Sequence, residues 1–414
     1  MTKEVTVVGG GAIGLATAYY LAQAGAAVRV IEARRIGSGA SWGNSGWIAP
    51  SFAAPIPARG LVSYTLRSLS DPASPIYFAL RADPDFIRWA WRCWRHCNDD
   101  AFQRGMRATA QLGEKTHALY AELVAARIDF GIERAGILMV AREAEALEGD
   151  LDRLKMLARY GYPLPEAILT EDELHKAEPL LSDEVSAGFV IEGEAHVDPA
   201  RISRGFADAL DAEILEGTEV AGIEHRNGRA TALRTSSGRF EVENVVLAAG
   251  AWTEPLPRML GVKLLMQAGK GYSFSIRPRI QPRRPIHFGE SKVVVTPLSD
   301  GKTRVSGTME LSGLNLRLDE RRIHAIKAGA RRYLADWPDG TVEDEWVGMR
   351  PLAADGLPIL GRVPGFENVY LATGHSMSGI TLAPATGLYM SELIMTGRTP
   401  GVLKPFEPGR VIRP

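Results

Sequence analysis

The chain has 414 residues, which is more than one compact core usually organises, so two domains are expected. Its 48 basic and 49 acidic side chains give a formal net charge of −1, and this balance argues against a nucleic-acid partner, since such binders carry a basic excess or stripe. Hydrophobic residues make up 45% and charged residues 23%, as in an ordinary globular protein.

The first predicted elements are a buried strand at residues 3–8 and a helix at residues 12–24, joined by the turn Gly-Gly-Gly-Ala-Ile-Gly. In this G-x-G-x-x-G pattern, Gly9 permits the tight turn, Gly11 lets a pyrophosphate approach the backbone, and Gly14 lets the helix pack against the strand. The helix N-terminus then offers free N–H groups and a partial positive charge to the phosphates.

The second predicted strand, residues 28–31, ends at Glu32, whose carboxylate can accept hydrogen bonds from a ribose diol and disfavours a 2′-phosphate. The unit therefore predicts dinucleotide binding but does not separate NAD from FAD. It also explains the uncharged stretch 5–28 without a membrane span or signal peptide. A cytoplasmic protein is expected, with peripheral contact at the inner face of a membrane left open.

A long loop of small and hydrogen-bonding residues follows at 33–48. It lies where the chain would pass a bound dinucleotide, so it suits a second set of contacts along the cofactor. A flexible surface linker is the alternative, but the apolar Trp42, Trp47 and Ile48 need a surface to cover.

Residues 49–180 show helical periodicity, including an aromatic-rich segment at 84–96. Its apolar face is most simply core, and amphipathic membrane contact is the alternative. Cys93 and Cys97 lie one helical turn apart, but no further ligand cluster accompanies them, so no metal site is predicted. Residues 262–305 alternate as strands do. The segments around 192–201, 219–220, 245–252 and 346–381 are interpreted as later pieces of the dinucleotide domain.

The ordered motifs GGGAIG, GASWGNSGWIAP, HVDP, VVLAAGAWT, KGYS, WVGMRPLAADGLPILG and TGHSMSGITLAPATG cover almost the whole chain. With these motifs the sequence resembles the D-amino-acid oxidase superfamily of flavoproteins, and most closely the bacterial D-amino-acid dehydrogenase small subunits. The resemblance implies an α/β fold in which a Rossmann-type FAD-binding domain (1–50, 185–260 and 340–414) is interleaved with an α+β substrate domain (51–184 and 261–339) that has an antiparallel or mixed sheet.

The resemblance also implies FAD in an extended pose, bound noncovalently, because no cysteine beyond Cys97 is available for a cysteinyl link. The predicted cofactor-binding residues come from the glycine turn, the loop that follows Glu32, the middle strands and the C-terminal motifs. They are Gly9, Gly11, Ala12, Ile13, Gly14, Glu32, Ala33, Arg34, Ser41, Asn44, Ser45, Gly46, Trp47, Ile48, Val220, Ala249, Gly250, Trp252, Gly348, Ser378, Gly379, Ile380 and Thr381.

Three residues are predicted to act on the substrate. Arg350 stands where relatives have an arginine that binds the substrate carboxylate, and an interdomain salt bridge is the alternative. Tyr272 is a candidate second donor to the carboxylate, or else a core tyrosine with a satisfied hydroxyl. His375 contributes either its backbone or a proton-transfer imidazole.

The reaction that the resemblance implies is hydride transfer from the α carbon of a D-amino acid to flavin N5, with electrons passed to a quinone or another acceptor. The segment Pro-Ala-Thr-Gly at 384–387 also resembles enzymes that act on D-hydroxyproline, so a cyclic imino acid is an alternative substrate. An oxygen-using oxidase of the glycine type and a flavin-binding electron-transfer subunit of a heteromeric complex remain open as well. The oligomeric state is not predicted.

Overall fold

Two large β-sheets organise the computed structural model, which describes residues 2–68, 74–79, 81–337 and 342–413. The strands, in chain order, are β1 (Glu4–Val8), β2 (Ala27–Ile31), β3 (Trp47–Ile48), β4 (Ile76–Phe78), β5 (Ile137–Ala141), β6 (Ala187–Ile191), β7 (Ala195–His196), β8 (Glu213–Leu215), β9 (Val220–Arg226), β10 (Arg229–Thr235), β11 (Gly238–Glu241), β12 (Asn244–Leu247), β13 (Lys263–Leu264), β14 (Met266–Ile276), β15 (Ile286–Phe288), β16 (Val293–Pro297), β17 (Thr303–Leu311), β18 (Glu343–Ala353), β19 (Ile359–Arg362), β20 (Val369–Thr373) and β21 (Ile412–Arg413).

Helices pack against the sheets and lie within some of the connections between strands. They are α1 (Ala12–Gln23), α2 (Leu61–Ser68), α3 (Pro84–His96), α4 (Asp99–Gly113), α5 (Thr116–Ala125), α6 (Glu148–Ala158), α7 (Glu171–Ala177), α8 (Pro199–Asp208), α9 (Pro255–Arg258), α10 (Glu320–Arg331) and α11 (Gly379–Thr396), with short 3-10 turns at Pro50–Phe52, Ala144–Leu147, Gly250–Thr253, Gly401–Phe406 and Pro408–Arg410. None of the helices in the described ranges combines the length and apolar composition needed to cross a bilayer.

The first sheet has the strand order β19-β20-β12-β1-β2-β8. Its neighbours pair in parallel except for β19, which lies antiparallel to β20 at one edge. The strand β1 is central and four of its five residues are buried, as the continuous apolar run Val-Thr-Val-Val predicts for a parallel strand covered on both faces. The helices α1 and α11 pack against each other over this sheet.

The second sheet has the order β18-β14-β17-β16-β15-β5-β6, and β4 adds to β17. Most pairs are antiparallel, while β15 with β5 and β17 with β4 are parallel. The predicted α/β fold with a Rossmann-type unit and a second mixed sheet is therefore confirmed.

Sheet membership bears on the predicted domain ranges. The strands β6 and β18 fall within ranges 185–260 and 340–414, which were predicted for the cofactor domain, yet they hydrogen-bond to β5 and β14 of the second sheet. A pattern of alternating or continuous apolar residues identifies a strand, but it does not identify the sheet that the strand joins. The predicted domain ranges therefore stay a prediction. We propose a division in which both strands belong to the substrate unit.

A buried charged network ties the second sheet to α10. The carboxylate of Glu310 lies 3.5 Å from Lys270 Nζ and 3.3 Å from Arg322 Nε, and it accepts a 2.8 Å hydrogen bond from the hydroxyl of Tyr272. Both cations and the carboxylate are buried. Burial raises the pKa of Glu310, but hydrogen bonds from Ser312 and Tyr272 and the neighbouring positive charges outweigh it, so the pKa is lowered and the group is ionised.

We expect Glu310→Gln to lower the free energy of unfolding by about 3 kcal/mol, because it leaves two buried cations without their carboxylate. Urea unfolding measures the change. The matched control is Glu224→Gln, which breaks an exposed 3.0 Å ion pair with Arg239 and should change stability by less than about 1 kcal/mol. Equal effects of the two substitutions would contradict the prediction.

Candidate active site

A cavity of about 700 Å³ opens at the carboxyl ends of β1, β2 and β12. In parallel sheets this edge is where ligands bind, outside the strand ends. The wall of the cavity also includes Met349 and Pro351 of β18 and the start of α11. The cavity therefore runs from the first sheet to the edge strand of the second sheet.

The glycine turn forms one end of the cavity. Gly9 has a φ of 117°, and a Cβ at Gly14 would stand 1.9 Å from the carbonyl oxygen of Gly9, so no side chain fits there. A Cβ at Gly11 would instead be 3.5 Å from Ser41 Oγ and on the cavity wall. Ser41 Oγ accepts a 3.0 Å hydrogen bond from the N–H of Ala12. The helix N-terminus thus faces the cavity without a side chain over Gly11.

The carboxylate of Glu32 is held at the end of β2 by two backbone groups. The N–H of Gly10 donates to one oxygen at 2.7 Å, and the N–H of Arg34 donates to the other at 2.9 Å. The guanidinium of Arg34 lies 4.9 Å from the ring centre of Trp252, and both residues line the cavity. Each oxygen keeps a free lone pair, which suits a pair of ligand hydroxyl groups.

The loop after Glu32 serves partly as lining and partly as support. Asn44 lines the cavity and accepts a 2.9 Å hydrogen bond from the N–H of Gly46. The two residues of β3 pair with β7, and Trp47 Nε1 donates to Thr296 Oγ1 of the second sheet at 3.0 Å. These contacts make the segment a bridge between the two sheets rather than a flexible linker.

The first turn of α11 is braced from two sides. The hydroxyl of Tyr120 donates to the carbonyl of Ile380 at 2.7 Å, and Thr116 Oγ1 donates to the carbonyl of Thr381 at 3.3 Å. Thr381 Oγ1 in turn donates to the carbonyl of Trp47 at 2.9 Å. In the described residues the side chain of Ser378 does not cap the helix, and Gly379 and Ile380 of its first turn line the cavity, so a ligand there can reach this helix N-terminus.

His375 lines the cavity close to the start of α11 and is 3% exposed. Its Nε2 is 2.9 Å from Thr386 Oγ1, and burial lowers the pKa of the imidazole to about 3, so the ring is neutral near pH 7. Within the described ranges, His375 Nδ1 and Ser376 Oγ are buried and have no hydrogen-bond partner. A polar ligand at this end of the cavity would satisfy them.

Arg350 lies on β18 opposite Gly269 of β14. Its Nη1 donates to the carbonyl of Thr308 at 2.8 Å, and a Cβ at Gly271 would stand 2.5 Å from Cζ, so the guanidinium rests on bare backbone. Burial lowers the pKa of Arg350 to about 10, which leaves it charged at neutral pH. In the part of the chain that the structure describes, it forms no ion pair, so the interdomain salt bridge left open by the sequence is not seen.

A small apolar cavity of about 30 Å³ lies on the Arg350 side of the sheet. Side chains alternate along a strand, so Leu352, which lines this cavity, points to the same face as Arg350. Met309, next to Thr308, also lines it, and Ser376 lines both cavities. The two cavities therefore adjoin at Ser376, while Arg350 itself lines neither of them.

Tyr272 does not line either cavity. It is 1% exposed, its hydroxyl donates to Glu310, and burial raises its pKa. These contacts correspond to the alternative interpretation, in which Tyr272 is a core residue with a satisfied hydroxyl. A hydrogen bond from Tyr272 to the substrate carboxylate stays a prediction.

The predicted cofactor residues fall into two groups. Those that line the large cavity are Gly9, Gly11, Ala12, Ile13, Glu32, Ala33, Arg34, Ser41, Asn44, Val220, Ala249, Gly250, Trp252, Gly379 and Ile380. Those that do not line it are Gly14, Ser45, Gly46, Trp47, Ile48, Gly348, Ser378 and Thr381.

Sequence reasoning missed Thr308, Ser376 and Gly271. Thr308 and Ser376 have positive φ values of 60° and 53°, which non-glycine residues rarely adopt, and nothing in their residue types signals it. Gly271, the glycine of the KGYS motif, could have indicated that another group packs closely on the backbone there. The group is the guanidinium of Arg350, which is too distant in sequence to be inferred.

Comparisons with known proteins agree with this geometry. The model of the family described as FAD dependent oxidoreductase (DAO) matches residues 4–393. The chain belongs to this family. It is 30% identical to a protein named D-amino acid dehydrogenase from Methylobacterium nodulans, over 96% of each chain. Among solved structures, this DAO family member is similar to glycine oxidase from Geobacillus kaustophilus (24% identity, TM-score 0.76, 98% and 99% of the two chains) and to L-α-glycerophosphate oxidase from Mycoplasma pneumoniae with FAD bound (20% identity, TM-score 0.73, 95% of each).

FAD is the cofactor of this DAO oxidoreductase, and the residues of the large cavity fit it. Glu32 offers paired acceptors for a ribose, and Gly11 leaves the α1 N-terminus open to a pyrophosphate. At the other end, the unpartnered His375 Nδ1 and Ser376 Oγ and the uncapped α11 suit a polar ring. Neither cysteine lines the large cavity.

We expect Gly11→Ala and Gly14→Ala to separate cofactor binding from folding. In Gly11→Ala, the added methyl group has room in the protein but intrudes on the cavity. FAD binding should therefore weaken by about 1–3 kcal/mol, while the FAD-free protein keeps its stability. In Gly14→Ala, the added methyl group collides with the backbone of Gly9, so the free energy of unfolding of the FAD-free protein should fall by about 3 kcal/mol. FAD titration and urea unfolding of both variants measure this, and similar profiles for the two would contradict it.

Proposed function

We propose that the chain is an FAD-dependent D-amino-acid dehydrogenase that oxidises the C–N bond of its substrate and passes the electrons to a quinone or another acceptor. The relative from Methylobacterium nodulans bears that activity in its name and matches 96% of each chain. The observation that carries the proposal is Arg350, a charged guanidinium held on the backbone of Gly271 without an ion-pair partner in the described residues.

A desolvated cation of this kind is stabilised by an anion. A carboxylate matches the planar fork of a guanidinium, and it is the one group that every amino acid presents beside its amine. The carbonyl of Thr308 occupies Nη1 of Arg350, which leaves the other guanidinium N–H groups for the substrate. We therefore assign the substrate carboxylate to Arg350.

When bound, FAD supplies the hydride acceptor. The substrate loses its α hydrogen as a hydride and becomes an iminium ion, which water then hydrolyses to a keto acid and ammonia. This chain's part is to orient the substrate through Arg350 and to keep His375 neutral, so that His375 can donate or accept a hydrogen bond without adding charge. The N-terminus of α11 adds a partial positive charge that favours a reduced, anionic ring.

The small cavity on the Arg350 face of β18 favours substrates with a compact apolar side chain. Its lining in the described residues is mainly apolar, as at Leu352, Met309 and Phe78, and Ser376 is the residue that it shares with the large cavity. A cyclic imino acid also fits this description. In the Pro-Ala-Thr-Gly segment, a Cβ at Gly387 would stand 2.6 Å from the carbonyl oxygen of Ala16, and Thr386 Oγ1 lies 2.9 Å from Nε2 of His375. The segment thus has both a packing role and a contact with the site, and D-hydroxyproline stays an alternative substrate.

The proposed function is tested by anaerobic bleaching of the FAD-loaded protein with D- and L-amino acids and hydroxyprolines. We expect bleaching by D-amino acids with small apolar side chains and none by their L enantiomers. Bleaching by no compound of the panel would refute the enzymatic proposal. Selective bleaching by a hydroxyproline would show that this imino acid, and not a D-amino acid, is the substrate. Reoxidation by a quinone analogue or by oxygen then identifies the acceptor.

We expect Arg350→Ala to retain FAD and to weaken apparent substrate binding by about 3 kcal/mol, because the substrate carboxylate loses its charged partner. Arg350→Lys should recover only part of this, since an ammonium cannot bind a carboxylate in the same two-point geometry. The control Arg153→Ala removes the partner of Asp150 on α6, at 2.8 Å, and should leave the apparent substrate affinity unchanged. An unchanged affinity in Arg350→Ala would make Arg350 a structural residue.

A further inference from the structure

The helix α3 exposes a row of large apolar side chains. Ile87, Trp91 and Trp94 are 58%, 48% and 58% exposed. They are spaced i, i+4 and i+7, so they form one stripe along the helix surface. An exposed tryptophan is unusual on a globular surface, and two on one stripe mark an interaction site.

A second row runs beside the first. It consists of three arginines, Arg88, Arg92 and Arg95, each of which directly follows a residue of the apolar stripe in the sequence. The basic row is therefore rotated by about 100° from the apolar stripe around the helix axis. The guanidinium of Arg95 lies 5.1 Å from the ring centre of Trp91, and Arg92 donates to a backbone carbonyl at 3.4 Å. In the described residues neither of these two arginines forms an ion pair with a carboxylate.

Acidic groups near the helix do not cancel this charge. Asp85 faces three cations, at 3.5 Å from Arg88, 2.9 Å from Arg258 and 2.7 Å from Lys263. Asp99, just beyond the helix end, pairs with Arg59 at 3.4 Å. Within α3 itself, three arginines stand against the one carboxylate of Asp85, so the helix that bears the apolar stripe carries an excess of positive charge.

The opposite face of α3 is fixed to the strand that bears Arg350. Asp83 caps the helix by accepting hydrogen bonds from the N–H groups of Asp85 and Phe86. Phe86 and Trp89 are buried with their rings stacked at 6.3 Å, and Trp89 Nε1 donates to the carbonyl of Leu352 at 2.9 Å. Trp89 and Cys93 also line the small cavity. The helix is thus a rigid outer wall of the proposed substrate region.

We propose that α3 docks the protein onto an anionic lipid bilayer, with Ile87, Trp91 and Trp94 in the interfacial layer and Arg88, Arg92 and Arg95 at the lipid headgroups. Tryptophan favours the boundary between headgroups and acyl chains, and arginine extends its charge to the phosphates while its alkyl stem stays in apolar surroundings. A helix that is apolar on one stripe and basic on the next lies in the plane of the membrane.

This docking deepens the proposed function, since it brings the wall of the Arg350 region to the membrane, where an apolar acceptor such as a quinone dissolves. Lipid binding itself needs neither substrate nor acceptor. It can therefore fail while substrate bleaching succeeds, and the reverse also holds.

The test uses FAD-loaded full-length protein and cosedimentation with vesicles of phosphatidylcholine, with and without phosphatidylglycerol. We expect binding that needs phosphatidylglycerol, weakens at high salt and shifts tryptophan emission to the blue. Arg92→Gln with Arg95→Gln should reduce partitioning about thirty-fold. The triple variant Ile87→Ser, Trp91→Ser, Trp94→Ser should reduce it at least about ten-fold. Both variants should keep their dye-linked activity.

A matched control replaces three equally exposed apolar residues elsewhere, Leu164, Ile168 and Ile280, by serine. We expect it to bind vesicles like the unmodified protein. Absence of vesicle binding, or equal loss in the control, overturns the proposal. Self-association in sedimentation velocity that disappears in the α3 triple variant also overturns it, because the face would then belong to a second copy of the chain.

Discussion

The close approach of α1 to its neighbours is the constraint on which the rest of the site depends. On one side, Gly14 lies so near the carbonyl of Gly9 that any Cβ would overlap it. On the other side, a Cβ at Gly387 of α11 would stand 2.6 Å from the carbonyl oxygen of Ala16, which is also too close. Bare backbone at both contacts lets two helices sit over one sheet with their N-termini at the same cavity. We propose that one N-terminus faces the phosphates of FAD and the other faces its ring, so that this packing positions both binding regions.

Much of this half of the molecule could be predicted because its signals are local. The glycine turn, the acidic end of β2 and the small-residue start of α11 each depend on residues only a few positions apart. Most of the glycine turn and Glu32 do line the large cavity. The loop at 33–48 was harder. Its lining residues were predictable by type, but the bridge that Trp47 makes to Thr296 depends on a partner about 250 positions away.

The second sheet shows where sequence reasoning ends. The strand character of β6 and β18 is visible in their apolar residues, whereas the sheet that they join is decided by long-range pairing. Gly348 was predicted to bind the cofactor, yet a Cβ there would stand 1.7 Å from the ring of Trp346, which gives the glycine a packing reason of its own. Tyr272 likewise gains its partner, Glu310, only when β14 and β17 meet.

The contact between α1 and α11 has a consequence for how the chain is made. The hydroxyl of Ser391 donates to the carbonyl of Tyr20 across 371 positions, and Lys3 donates to the carbonyls of Ile394 and Met395. During synthesis the part of α1 that packs on α11 therefore stays uncovered until α11 has been made, some 371 positions later. Contacts of such sequence separation fold slowly and expose apolar surface to aggregation in the interval. The cofactor cavity is lined by the N-termini of both α1 and α11, so it can be completed only after α11 has been synthesised.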